Sequence, residues 1–193
     1  LHSNTGGVFG ATKQYNGNIS AMQWSSKRDE VLRGFTFSYD EFDRITRADF
    51  FGRSKNGLKH ENGRYQTEGI SYDLNGNILS MHHHGQIVSQ RTNNPSDYGW
   101  IDHLNYTYSG NQLESVSDGV ALPASGLNDF PDRAKNGKDY EYDENLRLKT
   151  DKNQEIQLIS YNVLGLVQTI EWKNGDYLIN NYDAGGTKWR SRF

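Results

Sequence analysis

Polar and apolar positions along the chain fall into short alternating segments, each ending in a tyrosine and each followed by a polar turn. Phe35-Thr36-Phe37-Ser38-Tyr39, Tyr106-Thr107-Tyr108 and Tyr140-Glu141-Tyr142 alternate with a period of two, the pattern of a half-buried strand. After the tyrosine comes a cluster of Asp, Asn and Gly. These residues tolerate positive φ and bond their own backbone, so they turn the chain. An aliphatic residue six positions after the tyrosine, Ile45, Ile78, Leu148 or Val167, opens a return strand. That strand often closes at another glycine: Gly52, Gly85, Gly119 or Gly175. Each unit is predicted to be one β-hairpin. A lone hairpin is marginal in water, so neighbouring hairpins are expected to stack into a continuing sheet. No helical periodicity runs beyond two turns. The expected fold is all-β: a strongly curved antiparallel sheet of consecutive hairpins, with very little helix.

The hairpins are copies of one another. Tyr72-Asp73-Leu74-Asn75-Gly76-Asn77-Ile78 is the clearest unit. Tyr39-Asp40 leads to Arg44-Ile45, and Tyr142-Asp143 leads to Arg147-Leu148. Tyr161-Asn162 with Gly165 and Val167 is a weaker copy, and Tyr182-Asp183-Ala184-Gly185-Gly186 begins another. Two units are contracted, Tyr15-Asn16-Gly17-Asn18-Ile19 and Tyr108-Ser109-Gly110-Asn111-Gln112-Leu113. From Tyr142 to Tyr161 to Tyr182 the spacing is near twenty residues, and the wider gaps between earlier anchors carry insertions. Repeat equivalence predicts that the rings of Tyr39, Tyr72, Tyr108, Tyr142 and Tyr161 share one face and stack in a ladder along the sheet.

Tyr-Asp-x-x-Gly-Asn-Ile, repeated at this spacing, resembles the YD repeat of the RHS family, which includes teneurins and the shell subunits of insecticidal toxin complexes. The resemblance runs from about Gln14 to Arg190, and the contracted units are similar to those of RHS-repeat proteins of gut Bacteroidetes. It implies a single repeat domain over 1–193, a β-ribbon spiralling into a hollow shell, and a non-enzymatic wall that encloses or presents a C-terminal effector. It also implies a secreted or cell-surface setting. The chain has fewer repeats than a closed shell needs, so it reads as a segment of a longer polypeptide, and the rest of that polypeptide is the first expected partner. A cell-surface module binding a glycan or a protein is the alternative.

Composition sharpens this picture. Hydrophobic residues are only 34%, but 12 Tyr, 8 Phe and 4 Trp supply large rings for a core that aliphatics alone would leave thin. A disordered chain would be poor in such rings. Net charge is −3 with both signs interspersed, and no basic stripe marks a nucleic-acid footprint. No apolar run approaches a membrane span. Cysteine is absent, which excludes disulfides and thiolate metal sites. Leu1-His2-Ser3-Asn4 does not begin a signal peptide.

Candidate chemistry is sparse. Asp40, Asp73, Asp143 and Asp183 hold one place in a repeat, so each is expected to accept N–H bonds in its own turn and not to act in acid–base catalysis. In His82-His83-His84 adjacent side chains point to opposite strand faces, so His82 and His84 at most could share a metal, and no second spaced pair stands out. No metal, cofactor or catalytic residue is predicted. Trp24, Trp100, Trp172 and Trp189 are read as core covers before sugar platforms. Residues 117–138 and 93–97 are irregular loops, and 54–69 is the tip of an extended hairpin. Tyr177 to Tyr182 reads as an apolar edge strand, covered by a terminus or prone to self-association.

Overall fold

The computed structural model describes residues 10–27, 30–54, 61–88, 94–120, 129–135 and 137–193. The chain is all-β, and the described residues form thirteen strands in two antiparallel sheets. β1 (Ala21–Ser25), β2 (Leu32–Tyr39), β3 (Ile45–Arg53), β4 (Thr67–Tyr72), β5 (Ile78–Gln86), β6 (Tyr98–Ser109) and β7 (Gln112–Asp118) form one sheet in chain order. β8 (Tyr140–Tyr142), β9 (Leu148–Asp151), β10 (Ile156–Tyr161), β11 (Val167–Trp172), β12 (Tyr177–Tyr182) and β13 (Lys188–Arg192) form the other, again in order. Among the described residues no α-helix occurs, and Pro95–Asp97 is a 3₁₀ turn capped by Asn94. Among the described residues no helix is long and apolar enough to cross a membrane.

The expected single run of hairpins is interrupted. The chain divides into two compact units, residues 1–105 with 118–130, and 106–117 with 131–193. The chain passes from one unit to the other between residues 105 and 106, within β6, and again at 117–118 and 130–131. Pro123 and its neighbours at 121–128 lie outside the described residues.

In the first unit an aromatic chain crosses the sheet through the strand bodies. Trp24 meets Phe35 at 6.0 Å between ring centroids, Phe35 meets Phe50 at 5.2 Å, Phe50 meets Tyr65 at 5.1 Å and Tyr65 meets Tyr98 at 5.5 Å. The last three are edge-to-face contacts, the arrangement the ring quadrupole favours. Phe50, Phe51, Ile101 and Leu104 are buried. Gly34 permits this packing, because a Cβ there would sit 2.3 Å from the Phe51 ring.

The second unit has Ile159 buried at its centre, together with a polar cluster. Asn153, fully buried, accepts at Oδ1 from the backbone N–H groups of Arg133 and Ala134 and donates to Asp139. Asp139, also buried, takes the Val116 N–H on the same oxygen. This cluster fixes residues 131–135, which contribute no strand of their own, onto the loop between β9 and β10.

Candidate functional site

The repeat junction is the one structure this chain makes again and again. Five hairpins begin with an anchor tyrosine paired to the residue six positions on: Tyr39 with Ile45, Tyr72 with Ile78, Tyr142 with Leu148, Tyr161 with Val167, and Tyr182 with Lys188. The residue after the tyrosine closes the loop. Its N–H donates to the carbonyl four residues on, at 2.9 to 3.0 Å in every copy. Its side-chain oxygen accepts two backbone N–H groups, from the second and fourth residues beyond. For Asp73 these are Asn75 and Asn77, both at 2.8 Å. For Asp143 they are Asn145 and Arg147, both at 2.9 Å. Asp40 and Asp183 repeat the arrangement, and Asn162 supplies the same oxygen from an amide. The aspartates therefore hold their own turns, as the repeat register implies.

Each loop has three residues at its tip, the last in the left-handed region. That residue is Asp43 (φ 63), Gly76 (φ 88), Leu146 (φ 62), Gly165 (φ 74) or Gly186 (φ 84). A type I turn followed by a left-handed residue matches the right-handed twist of the flanking strands. A register shift follows at once in all five hairpins. Ser71 pairs with Ser80 while Tyr72 pairs with Ile78, so Leu79 is an extra residue. Thr46, Lys149, Gln168 and Trp189 take the equivalent place. The bulge swells the local twist and separates the start of the return strand from the next hairpin.

The tyrosine bridges that separation. Its hydroxyl donates to the backbone carbonyl of the return-strand aliphatic in the preceding unit. Tyr39 reaches Ile19 at 2.8 Å, Tyr72 reaches Ile45 at 2.6 Å, and Tyr142 reaches Leu113 at 3.0 Å. Tyr161 reaches Leu148 at 2.7 Å and Tyr182 reaches Val167 at 2.8 Å. The ladder is thin at two of the junctions between hairpins, whereas β5 and β6 share seven register pairs. Ala48 opposite Thr67 is the register pair joining β3 to β4, and Ile156 opposite Asp151 joins β10 to β9.

The expected ring-on-ring stack of anchor tyrosines is corrected by this geometry. No ring contact joins Tyr39, Tyr72, Tyr142, Tyr161 and Tyr182, whose rings are half-buried and spaced by whole hairpins. A guanidinium occupies the space instead. Arg44 pairs with Asp40 at 2.7 Å and lies 4.5 Å from the centre of the Tyr72 ring. Arg147 pairs with Asp143 and lies 4.3 Å from the Tyr161 ring. One arginine thus ties the turn of its own hairpin to the anchor of the next. In the unit at Tyr72, Asn77 takes the arginine's place and donates to Asp73 at 2.8 Å.

Titration reflects these contacts. The side-chain hydrogen bond from Asn77 holds the Asp73 carboxyl below its ordinary value, and that from Arg147 does the same for Asp143. At Asp40 desolvation pulls upward, but the combined bonds from Arg44 and Phe42 outweigh it and the carboxyl is lowered. Burial raises the phenols of Tyr72, Tyr142 and Tyr161.

The contracted units differ. Tyr108 is half-buried at the end of β6, before a two-residue turn at Gly110-Asn111 with Gly110 at φ 60. Tyr15 is 90% exposed and starts no strand, yet Ile19 of that unit still accepts the Tyr39 hydroxyl. Trp189 is also corrected: it is 65% exposed at its bulge and covers no core. The Tyr177–Tyr182 segment is covered by the C-terminal strand, the first of the two outcomes expected for it. It pairs with β11 on one side and β13 on the other.

No protein-family model matches the chain, and no curated protein matches it.

Proposed function

We propose that this chain is a non-enzymatic structural segment of an exported repeat protein of the RHS type, in which the hairpins form part of a wall that encloses or presents a C-terminal effector. The observation that carries the reading is the hydrogen bond from each anchor tyrosine to a main-chain carbonyl of the unit before it. A carbonyl is present whatever the side chain, so the junction accepts Ile, Leu or Val and can be repeated without limit. That is the requirement of an extended scaffold. The repeat aspartates, the best candidates for acid–base work, spend their oxygens on their own turns. RHS repeats, an effector and export follow from the Tyr-Asp resemblance by analogy.

The test has two parts. The coding sequence beyond this chain should continue into a core segment and a variable terminal domain. The full polypeptide, treated with protease, should then protect that domain until the wall is opened by denaturant. A terminal domain cleaved at the same rate in both conditions would refute the wall. A second reading, a surface module that binds a glycan, draws on Trp189, which is 65% exposed and offers a flat apolar ring. Quenching of tryptophan fluorescence by oligosaccharide in the native chain, abolished in Trp189→Ala, would favour it.

A further inference from the structure

We propose that His82 and His103 form a two-imidazole site for a borderline divalent transition metal, Cu2+ or Zn2+, on one face of the first unit's sheet. The sequence allows only His82 and His84 to share an ion, because they are two residues apart on one strand. The sheet supplies a different partner. His82 on β5 stands opposite His103 on β6 in the strand register, and their ring centroids are 4.4 Å apart at a 38° tilt. His83 points to the other face, where its Nδ1 lies 3.5 Å from Oδ2 of Asp102. His84 is opposite Trp100 and packs edge-on against that indole at 5.1 Å.

The state of His103 points to a ligand. Its Nε2 is buried and has no hydrogen-bond partner within the chain. A buried polar atom without a partner is a free-energy cost that needs a reason. The strand that carries the ring is held in place. The His103 backbone N–H donates to Asp118 at 2.8 Å, its carbonyl accepts the Gly119 N–H at 3.0 Å, and the Trp100 ring flanks it at 5.3 Å. A neutral imidazole is a good ligand for Cu2+, Zn2+ or Ni2+ and a poor one for Mg2+ or Ca2+, which prefer oxygen. Two rings in contact across a strand pair can turn their lone pairs onto one ion, with water completing the shell. Two protein ligands make an exchangeable site, not a structural one, since structural zinc takes four.

The test uses the whole chain with Zn2+ and Cu2+ as probes. Calorimetry should give one saturable ion per chain, with Cu2+ held more tightly than Zn2+. Zn2+ should shift the ring NMR signals of His82 and His103 and leave those of His83 in place, and Mg2+ should shift none of the three. His82→Ala and His103→Ala should each weaken binding at least about tenfold, in the range that loss of a supporting group costs a metal site. His83→Ala and His84→Ala should bind as the parent does. Circular dichroism without metal establishes that each variant folds, and His103→Gln replaces His103→Ala if the smaller side chain unfolds the strand. No saturable binding overturns the proposal. So does binding that survives the change at His103 but is lost in His84→Ala, which would mean a local chelate within β5.

Discussion

The hydroxyl of Tyr161 donates to the carbonyl of Leu148 at 2.7 Å, across a gap that strand pairing has left open. The bond is made by a side chain to a main chain, so its worth can be isolated by removing one oxygen atom. Tyr161→Phe keeps the ring under the Arg147 guanidinium and leaves the Leu148 carbonyl without this donor. Loss of about 0.5–1.5 kcal/mol of stability is expected in urea unfolding, the net value of one such bond. Tyr161→Ala removes ring, bond and cation–π contact together and should cost more, about 2 kcal/mol, short of the full-burial figure because the ring is half-exposed. Equal stability of the parent and the phenylalanine variant would show that the hydroxyl is idle.

Much of this junction can be read from the sequence, and the rest has a clear reason for escaping. The pairing of Tyr72 with Ile78, the role of Asp73 and the tight turn at Gly76 are local. They follow from residue chemistry at fixed offsets, and the structure agrees. The destination of the tyrosine hydroxyl is non-local. Ile45 lies 27 residues before Tyr72, and a carbonyl acceptor leaves no trace in side-chain identity. For the same reason the bulge at Leu79 carries no signature of its own. His103 was missed because cross-strand partners are set by register, and no side-chain identity at His82 or His103 records which residues of β5 and β6 stand opposite each other. The aromatic ladder was expected in the wrong rank of residues. Phe35 and Phe50 occupy adjacent strands at ring-contact distance and Tyr65 links Phe50 to Tyr98, whereas the anchors are separated by a return strand.

Leu146 has φ 62 and is 69% exposed, at a position where three sister hairpins have glycine. A branched side chain in the left-handed region costs about 1–2 kcal/mol. Glycine recovers most of that and gives back some through the entropy of the unfolded chain. Leu146→Gly is therefore expected to stabilise the protein by about 0.5–1 kcal/mol. The reverse exchange, Gly76→Leu, should destabilise by a similar amount, since φ is 88 and no atom lies within 4 Å of the added Cβ to repay it. Thermal melting of the two variants in opposite directions is the check. Movement in the same direction would rule out backbone strain as the cause.

Stability should fall at both ends of the pH scale. The carboxyls of Asp73 and Asp143 are lowered by side-chain bonds from Asn77 and Arg147. A depressed carboxyl stabilises the fold while it is ionised, and this contribution disappears as pH falls through the native pKa, below the usual 3.8. Tyr72, Tyr142 and Tyr161 have the opposite sign. Burial raises their phenols above 10.0, so the folded state keeps its protons longer than the unfolded state. That contribution is complete below pH 10 and is lost as pH rises through the raised values. Asp143→Asn, which imitates the natural Asn162 turn, should flatten the acid limb in melting-temperature profiles and also weaken the alkaline limb, because after burial the Asp143 charge is the next cause that raises the Tyr161 phenol.

The C-terminal edge of the second sheet makes the last prediction. β12 contains Leu178 and Ile179 and would be adhesive if it were bare. Its outer side is paired with β13 through four register pairs, from Ile179 with Arg192 to Tyr182 with Lys188. The edge passes to β13, which is exposed along its whole length and carries Lys188, Arg190 and Arg192 within five residues. Cations on an edge strand disfavour pairing with another copy, because like charges would be brought face to face. Trp189 bulges from the same strand and bends the edge away from a flat template. Backbone amides of 178–181 that bond to either neighbour should therefore exchange slowly with solvent, and outward amides of β13 should exchange fast. Arg190→Val with Arg192→Val removes the charge and raises β-propensity. The doubly substituted chain should self-associate at concentrations where the parent remains monodisperse in light scattering. A parent that associates as readily as the variant would mean that these arginines do not guard the edge.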